Sequence, residues 1–484
     1  MSEEESKKVK KPLYSFKKLG GNGLSSLIYE EMYSMNDRDD KDKIMRQIKN
    51  KDVTALRKTS RYFYYKSGIY RRLIEYLSTM FLMYYKVIPR NSSKFDDANF
   101  KKSHDNVFDY IKKLDLSTFN EVSTVVFTEG VFFGYQRQMS DGYVIQQLPT
   151  DYCRSIAKYS NGNYVVEFDL KFFDSFKTTS DGIIELSNLY PRELVQAWLT
   201  NSMSKDKYRW HQISAESGMC FQFDDMGMPP LTGMFVDLIE LDNYKKLEKI
   251  KTALDLVKII IQKIPLDEDK QPAYELEDAQ AIHDNLTNML KNTENVDGYT
   301  TPFDVDVISL GDKTKLDTSN TMKAERSVFT SAGMSSNLGN AEGNIAMLNS
   351  IRSDSAWVFE LISQYQKWID SHINTYITSS KNYNFDFEIL PITWYNLIEW
   401  QEKYYTGATS GVTKLEYAIS LGVKQSNLRD KLIYENDYLN LDEIITPLMT
   451  AHTATSDNIG GAPSKSDDAL TPSGVTSRET NESR

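Results

Sequence analysis

The sequence predicts an α+β protein, on three observations. Residues 235–264, FVDLIELDNYKKLEKIKTALDLVKIIIQKI, carry apolar side chains at Leu247, Ile250, Leu254, Val257, Ile261 and Ile264, the steps of three and four that line one stripe of an α-helix. A second strut follows later, with Leu348, Ile351, Val358, Ile362, Tyr365, Ile369, Ile373 and Tyr376 at spacings of three, four and seven. Between residues 122 and 223 the period changes to short apolar runs, YVIQQL, YVVEF and IIEL. These are divided by Asp141-Gly142, Asn161-Gly162 and Asp181-Gly182, the pattern of an antiparallel meander.

In chain order, residues 1–25 are charged and then glycine-rich, with Gly20, Gly21 and Gly23, and are expected to form a mobile arm. From residue 26 to about residue 80 the pattern is helical, with the charged residues 36–43 as the expected break. Residues 64–89 place Ile69, Leu73, Ile74, Leu77 and Phe81 at helical spacing and then turn extended towards Pro89. A further amphipathic stretch covers residues 100–119, and Pro229-Pro230 closes the meander. Residues 235–264, roughly 40 Å long if wholly helical, follow as one helix, with Lys245 and Lys249 off its apolar stripe.

After Pro265 an acidic connector, LDEDKQ, leads to an expected helix over residues 275–290. PFDVDVISL, residues 302–310, alternates Phe303, Val305 and Val307 with polar side chains as a strand does. Residues 318–332 are expected to be helical and to stop at Gly333. MSSNLGNAEGN, residues 334–344, has the composition of a flexible loop. YNFDFEIL, residues 383–390, alternates as a strand. From residue 413 short helices follow, the first ended by Gly422 and the second capped by Ser426. From Thr453 onward almost nothing is apolar, and disorder is expected.

The 484 residues hold 57 Lys and Arg against 68 Asp and Glu, a net charge of −11, which excludes a protein that grips nucleic acid over its whole surface. The 30 Tyr, 22 Phe and 6 Trp are enough to furnish half-exposed interfaces as well as cores. Two cysteines, Cys153 and Cys220, fit a reducing compartment. No apolar segment follows the basic start, so no signal peptide is expected. No apolar run is long enough to span a bilayer, so no membrane partner is expected either.

The motifs of chemistry are missing. There is no GxxxxGKS, GxGxxG or GxSxG. His104, His211, His283, His372 and His452 never pair at metal-ligand spacing, so no metal or cofactor site is expected. Cys153 is expected to be a small buried residue at a strand end rather than a nucleophile. Carboxylates cluster at Asp37, Asp39 and Asp40, at Asp267, Glu268 and Asp269, and at Asp467-Asp468, each in a segment that reads as solvated. A metal-dependent nuclease built on them is one alternative to a non-catalytic role.

Three segments together resemble portal proteins, the head-tail connectors of tailed double-stranded DNA bacteriophages of the long-tailed type. They are SGIYRRLIEYLSTMFLMYYKVIP within residues 64–89, LPTDYCRS followed by YVVEFDLKFFD, and GVTKLEYAISLG with the tail GAPSKSDDALTPSGVTSRE. In that tail the family has an arginine between glycine and proline where this chain has Ala462. The resemblance implies a portal fold with long stem helices, a small α/β clip, a mixed wing with antiparallel strands and a helical crown. It divides the chain into an arm (1–25), wing (26–234), first stem helix (235–265), clip (266–315), second stem helix (316–333), tunnel loop (334–344), returning wing (345–410), crown (411–450) and tail (451–484).

The resemblance further implies a homo-oligomeric ring of about twelve subunits at one capsid vertex. That ring is the channel for DNA packaging and ejection, in a virion assembled in the cytoplasm of a bacterial host. The implied partners are double-stranded DNA, terminase, major capsid and scaffold proteins, and head-completion or adaptor proteins. Met334, Ser335, Ser336, Asn337, Asn340 and Asn344 of the loop, with Lys245 and Lys249, become candidates to face DNA. Asp267, Glu268 and Asp269 become candidates to dock terminase or a connector. Another phage head or tail structural protein is the alternative within the same class.

Overall fold

In the computed structural model the described chain opens with α1 (Asp37–Asn50), so the charged stretch expected to break the helical pattern is this helix's first turns. The interruption falls instead at Lys51, whose φ of 54° turns the backbone left-handed. Asp52 then caps α2 (Val53–Lys66) by accepting the Ala55 amide at 3.1 Å. Ser67 caps α3 (Gly68–Thr79) through the Tyr70 amide. The residues described are 37–90, 95, 97–139, 142–176, 180–205, 207–256, 258–263, 275, 277–278, 280–282, 284, 304–309, 319–334, 345–378 and 383–441.

Helix α3 buries Leu73, Ile74 and Leu77 of the stripe read from the sequence, with Tyr70 buried beside them and Ile69 only half-buried, and the chain then extends into β1 (Tyr85–Pro89). Helices α4 (Ala98–Leu114) and α5 (Thr118–Glu129) follow, and α5 ends at Gly130 with a φ of +84°. A Cβ at Gly130 would collide with the backbone of Gly227 and Met228. This turn sends the chain into β2 (Val131–Gln138), the centre of an antiparallel sheet in the order β3 (Tyr143–Gln147), β2, β7 (Gly218–Gln222).

That sheet is a wall between two cores. Alternate residues of a strand point to opposite faces. Phe132, Met219 and Phe221 enter the main core, while Val131, Phe133 and Cys220 enter a second one. The second core is closed by the strands β4 (Cys153–Arg154), β5 (Glu167–Asp169) and β6 (Trp210–Gln212) and by α6 (Ser180–Leu189) and α7 (Arg192–Met203). The meander reading is therefore corrected in two places. YVVEF yields a strand only from Glu167, and IIEL lies in α6. Ile184 is 62% exposed and Leu186 3%; a strand would put them on one face, and a helix separates them.

The second correction concerns residues 235–264. Helix α8 (Met234–Leu256) ends before the isoleucine run, and Lys258–Lys263 forms β8, antiparallel to β9 (Asp304–Ser309) with Ile260 opposite Val307 and Gln262 opposite Val305. Ile259, Ile260 and Ile261 are consecutive and β-branched, which favours a pleated strand over a helix. The positions Val257, Ile261 and Ile264 fit a helical stripe only if Ile259 and Ile260 are ignored.

Helix α9 (Ser319–Ser331) stops at Gly333, φ +72°, as expected. The second strut is α10 (Ile345–His372), continued by a π turn over Ile373–Ile377. It holds the main core through Tyr365, whose ring lies 4.6 Å from Phe119 and 4.7 Å from Phe221 and whose hydroxyl is 3.0 Å from Ser123. β10 (Phe385–Ile389) pairs antiparallel with β1, and α11 (Leu397–Thr409) and α12 (Lys414–Ser420) enclose a third cluster of Leu390, Ile392, Tyr404 and Ile419. Gly422, φ +87°, ends α12 as expected.

The chain divides into two compact units, Met1–Gly422 and Val423–Arg484. In the second, α13 (Gln425–Ile433) runs into a π turn at Tyr434–Tyr438. Ser426 does not cap α13: Lys424 occupies the cap position, and the Ser426 hydroxyl donates to Asn427 Oδ1 at 3.1 Å. Of the helix expected over residues 275–290, residues 277–278, 280–282 and 284 are helical. The arm, the acidic connector, residues 335–344 and the tail lie outside the described residues.

Candidate functional site

Helix α8 is anchored in the main core through its first turns. Met234, Phe235, Leu238, Ile239 and Leu241 are buried, and from Asp242 to Lys249 no residue is. The exposed part leans on α9. Lys245 pairs with Glu325 at 3.3 Å and the Thr321 hydroxyl donates to Glu248 Oε2 at 2.8 Å. The Ser331 carbonyl comes near Gly233. Residue numbers rise along α8 as they fall along α9, so the two helices run antiparallel, with the β8–β9 ribbon inserted between them in sequence. After Leu241 the helix continues for 15 residues, about 22 Å. On this extension Tyr244 is 43% and Leu247 60% exposed, and on α9 Met322 is 49% exposed.

The structure separates the sequence candidates. Lys249 is exposed on the extension, whereas Lys245 spends its charge on Glu325. Met334 is withdrawn as a DNA-facing residue: it is 6% exposed and belongs to the main core, where Val328 and Ala324 of α9 also sit. Its apolar side chain packs under the end of α9, and its amide bonds the Phe329 carbonyl at 3.0 Å. Ser335, Ser336, Asn337, Asn340 and Asn344, and Asp267, Glu268 and Asp269, lie outside the described residues. Their segments leave α9, enter α10 and follow β8, respectively.

Helix α10 buries a carboxylic acid and an imidazole. Asp354, 6% exposed, accepts the Tyr76 hydroxyl at 3.1 Å, and burial raises its carboxyl to about 6 against the opposing effect of that bond. His372, 5% exposed, lies between Tyr110 and Trp368, ring centroids 5.0 Å from each, and burial lowers it to about 4. It is a core residue that this burial holds neutral. Burial also raises both cysteine thiols, so neither is a ready nucleophile. Among the described residues no three metal-ligating side chains gather, and no helix is long and apolar enough to cross a membrane.

The Asp354 shift gives a prediction with a defined sign. Between about 4 and 6 the folded chain keeps a proton that the unfolded chain releases, so stability falls as pH rises through that window and stays low above it. Asp354→Asn keeps an acceptor for Tyr76 and carries no charge. It is expected to raise stability by about 1–3 kcal/mol at pH 8 and by nothing measurable near pH 4, read from denaturant melts at both pH values.

Sequence reasoning missed a second exposed apolar surface. Trp394 is 66%, Tyr395 49%, Ile398 71% and Leu348 49% exposed, beside the Arg352–Glu399 ion pair at 2.9 Å. A signal was present in PITWYNLIEW, where aromatic and aliphatic residues crowd a short helix start that a small third core does not need in full.

No protein-family model matches the chain, and no curated protein matches it. Among solved structures, the chain is similar to one in the neck of an empty GTA particle computed with C6 symmetry, at 11% identity and a TM-score of 0.45, covering 77% of this chain and 94% of that one. It is also similar, at 12% identity and a TM-score of 0.41 in each case, to chains of the virion of a native gene transfer agent particle and of the neck of the native particle computed with C12 symmetry. In both, 77% of this chain and 93% of the other are covered. At these scores the likeness assigns no function to this chain.

Proposed function

We propose that the chain is the subunit of a portal: a ring of about twelve copies that encloses a DNA channel and serves as the docking platform for terminase and then for head-completion proteins. The observation that carries this reading is the antiparallel α8–α9 pair, which leaves the core after Leu241, exposes Tyr244, Leu247 and Met322, and brackets the β8–β9 ribbon. A projecting pair with apolar side chains in water asks for neighbours. Together with the separate Trp394–Ile398 surface it supplies the two unlike faces that a closing heterologous ring requires. The sequence resemblance assigns α8 and the residues of β8 to the first stem helix, α9 to the second stem helix and the residues of β9 to the clip.

Charge is consistent with a conduit. If each of about twelve subunits set one free lysine against phosphate, about ten counterions would be released and DNA would bind tightly rather than slide. The internal Lys245–Glu325 pair and the net charge of −11 reduce that grip. Negative-stain microscopy and light scattering of the purified chain test the proposal. Rings with an axial hole are expected, and a monomer persisting at high concentration across a range of salt would refute it. Replacing residues 335–344 by a short rigid linker is expected to leave rings intact and to lower packaged DNA about tenfold or more; normal packaging would remove the tunnel-loop assignment.

A further inference from the structure

A hollow of about 390 Å³ opens where the end of α2 and the start of α3 meet α8. Tyr62, Phe63, Leu238 and Leu241 give it apolar walls. The charges on its edge are paired within the chain, Lys66 with Asp242 and Lys245 with Glu325, each at 3.3 Å. The hollow therefore offers apolar contact and asks for no counter-charge. A recess of this kind suits a large apolar side chain held in a fixed position.

The same chain carries such a knob. Trp394 and Ile398 are 66% and 71% exposed. The backbone beneath them is fixed: the Trp394 amide donates to the Met80 carbonyl at 3.0 Å, Thr393 is wholly buried and bridges Phe81, and Asn396 Oδ1 accepts the Thr393 amide at 2.7 Å. A tryptophan on a fixed backbone loses little freedom when it is covered, which is why this side chain dominates so many protein interfaces. Beside it Arg352 and Glu399 are paired with each other at 2.9 Å, so covering the knob leaves neither of them buried alone.

The knob cannot enter the hollow of its own chain. Gly68 lines the hollow, and Tyr76, further along α3, touches Tyr395 beside the knob, with ring centroids 5.6 Å apart. The two features are thus held about 12 Å apart along one helix. Complementary features at different places on one chain meet head to tail between copies, the arrangement that closes into a ring when the rotation allows.

We propose that the Trp394–Ile398 knob of one copy seats in the α2–α3–α8 hollow of the next. The inference rests on the ring reading above and names a contact that joins its subunits.

The test mixes two full-length variants, Gly68→Cys and Ile398→Cys, the native cysteines being buried. At Gly68 φ is not positive and an added Cβ meets no atom within 4 Å, and Ile398 is exposed, so both variants fold. Under mild oxidation a disulfide joining one variant to the other is expected, with neither variant forming one alone. Rings without the mixed disulfide would overturn the contact and leave the portal reading standing. The mixed disulfide in open chains without rings would uphold the contact and overturn the closed ring. A disulfide within one variant alone would replace the contact by a two-fold pairing, and neither disulfide nor rings would overturn both readings.

A second arm acts on the side chains themselves. Trp394→Ala, and Gly68→Trp to fill the hollow, are each expected to raise the concentration needed for assembly about tenfold or more, read by light scattering. Both remove one contact, so the double variant is expected to be no worse than the more impaired single one. An unchanged requirement in either single variant, or losses that multiply in the double one, would overturn the pairing.

Discussion

Phe235→Ala is expected to destabilise the first unit by about 3–5 kcal/mol and to lower its melting temperature by about 5 °C. Phe235 is wholly buried, with its ring 5.4 Å from Phe63 and 5.8 Å from Tyr70, so it locks the anchored end of α8 to both α2 and α3. Removing it leaves a void that two aromatic rings on different helices cannot close together. The measurement is a denaturant melt with Ile184→Ala as reference; Ile184 is 62% exposed, and its truncation is expected to stay within about 0.5 kcal/mol. A Phe235→Ala chain as stable as that reference would show that α8 is held elsewhere.

Arg57→Met is expected to cost about as much, 3–5 kcal/mol, by a different route. The Arg57 side chain is nearly buried and donates through Nε to the Glu129 carbonyl at 2.9 Å and through Nη2 to the Gly227 carbonyl at 3.0 Å. It also lies 3.8 Å from Asp151, which Arg61 approaches at the same distance. Methionine fills the volume and leaves both carbonyls without their donor. Arg57→Lys keeps the charge, yet a single ammonium lacks the fork that reaches two carbonyls, so it should recover less than half of the loss in the same melt. Full recovery by lysine would mean that charge alone matters at this junction.

Much of the helical framework was legible because its side chains obey one period and its ends carry recognisable residues. Gly333 and Gly422 stop helices where the sequence placed the stops, and the buried stripe of α10 includes Ile351, Val358, Ile362, Tyr365 and Ile369. The strand at residues 385–389 was legible for the same reason, with Phe385, Phe387 and Ile389 buried in alternation. Residues 258–263 and IIEL were misread because a short aliphatic run has no period of its own. Pairing with β9 decides the first and packing of Leu186 against the second core the other. Of the candidate site, the lysines on α8 were legible as charges, but not that Lys245 has a mate on α9, since contact across 80 residues leaves no local mark. The burial of Met334 was hidden too, because in sequence it looks like the first residue of a polar loop.

The sheet shared by the two cores has a further consequence. In most half-buried strands a slip of one residue is forbidden because it turns polar side chains inward. In β2, Val131, Phe132 and Phe133 are all apolar and all buried, so a slip there would exchange one oily residue for another. Alignment must come from the buried amides. Gln136 meets the Tyr110 hydroxyl at 3.2 Å, and Gln146 donates to the Leu189 carbonyl at 2.9 Å. The backbone of Gln222 exchanges two bonds with the Gln364 side chain, at 3.2 and 2.8 Å. Two glutamine side chains, on β2 and β3, thus act as a vernier that reads α4 and α6, while Gln364 of α10 grips the backbone of β7.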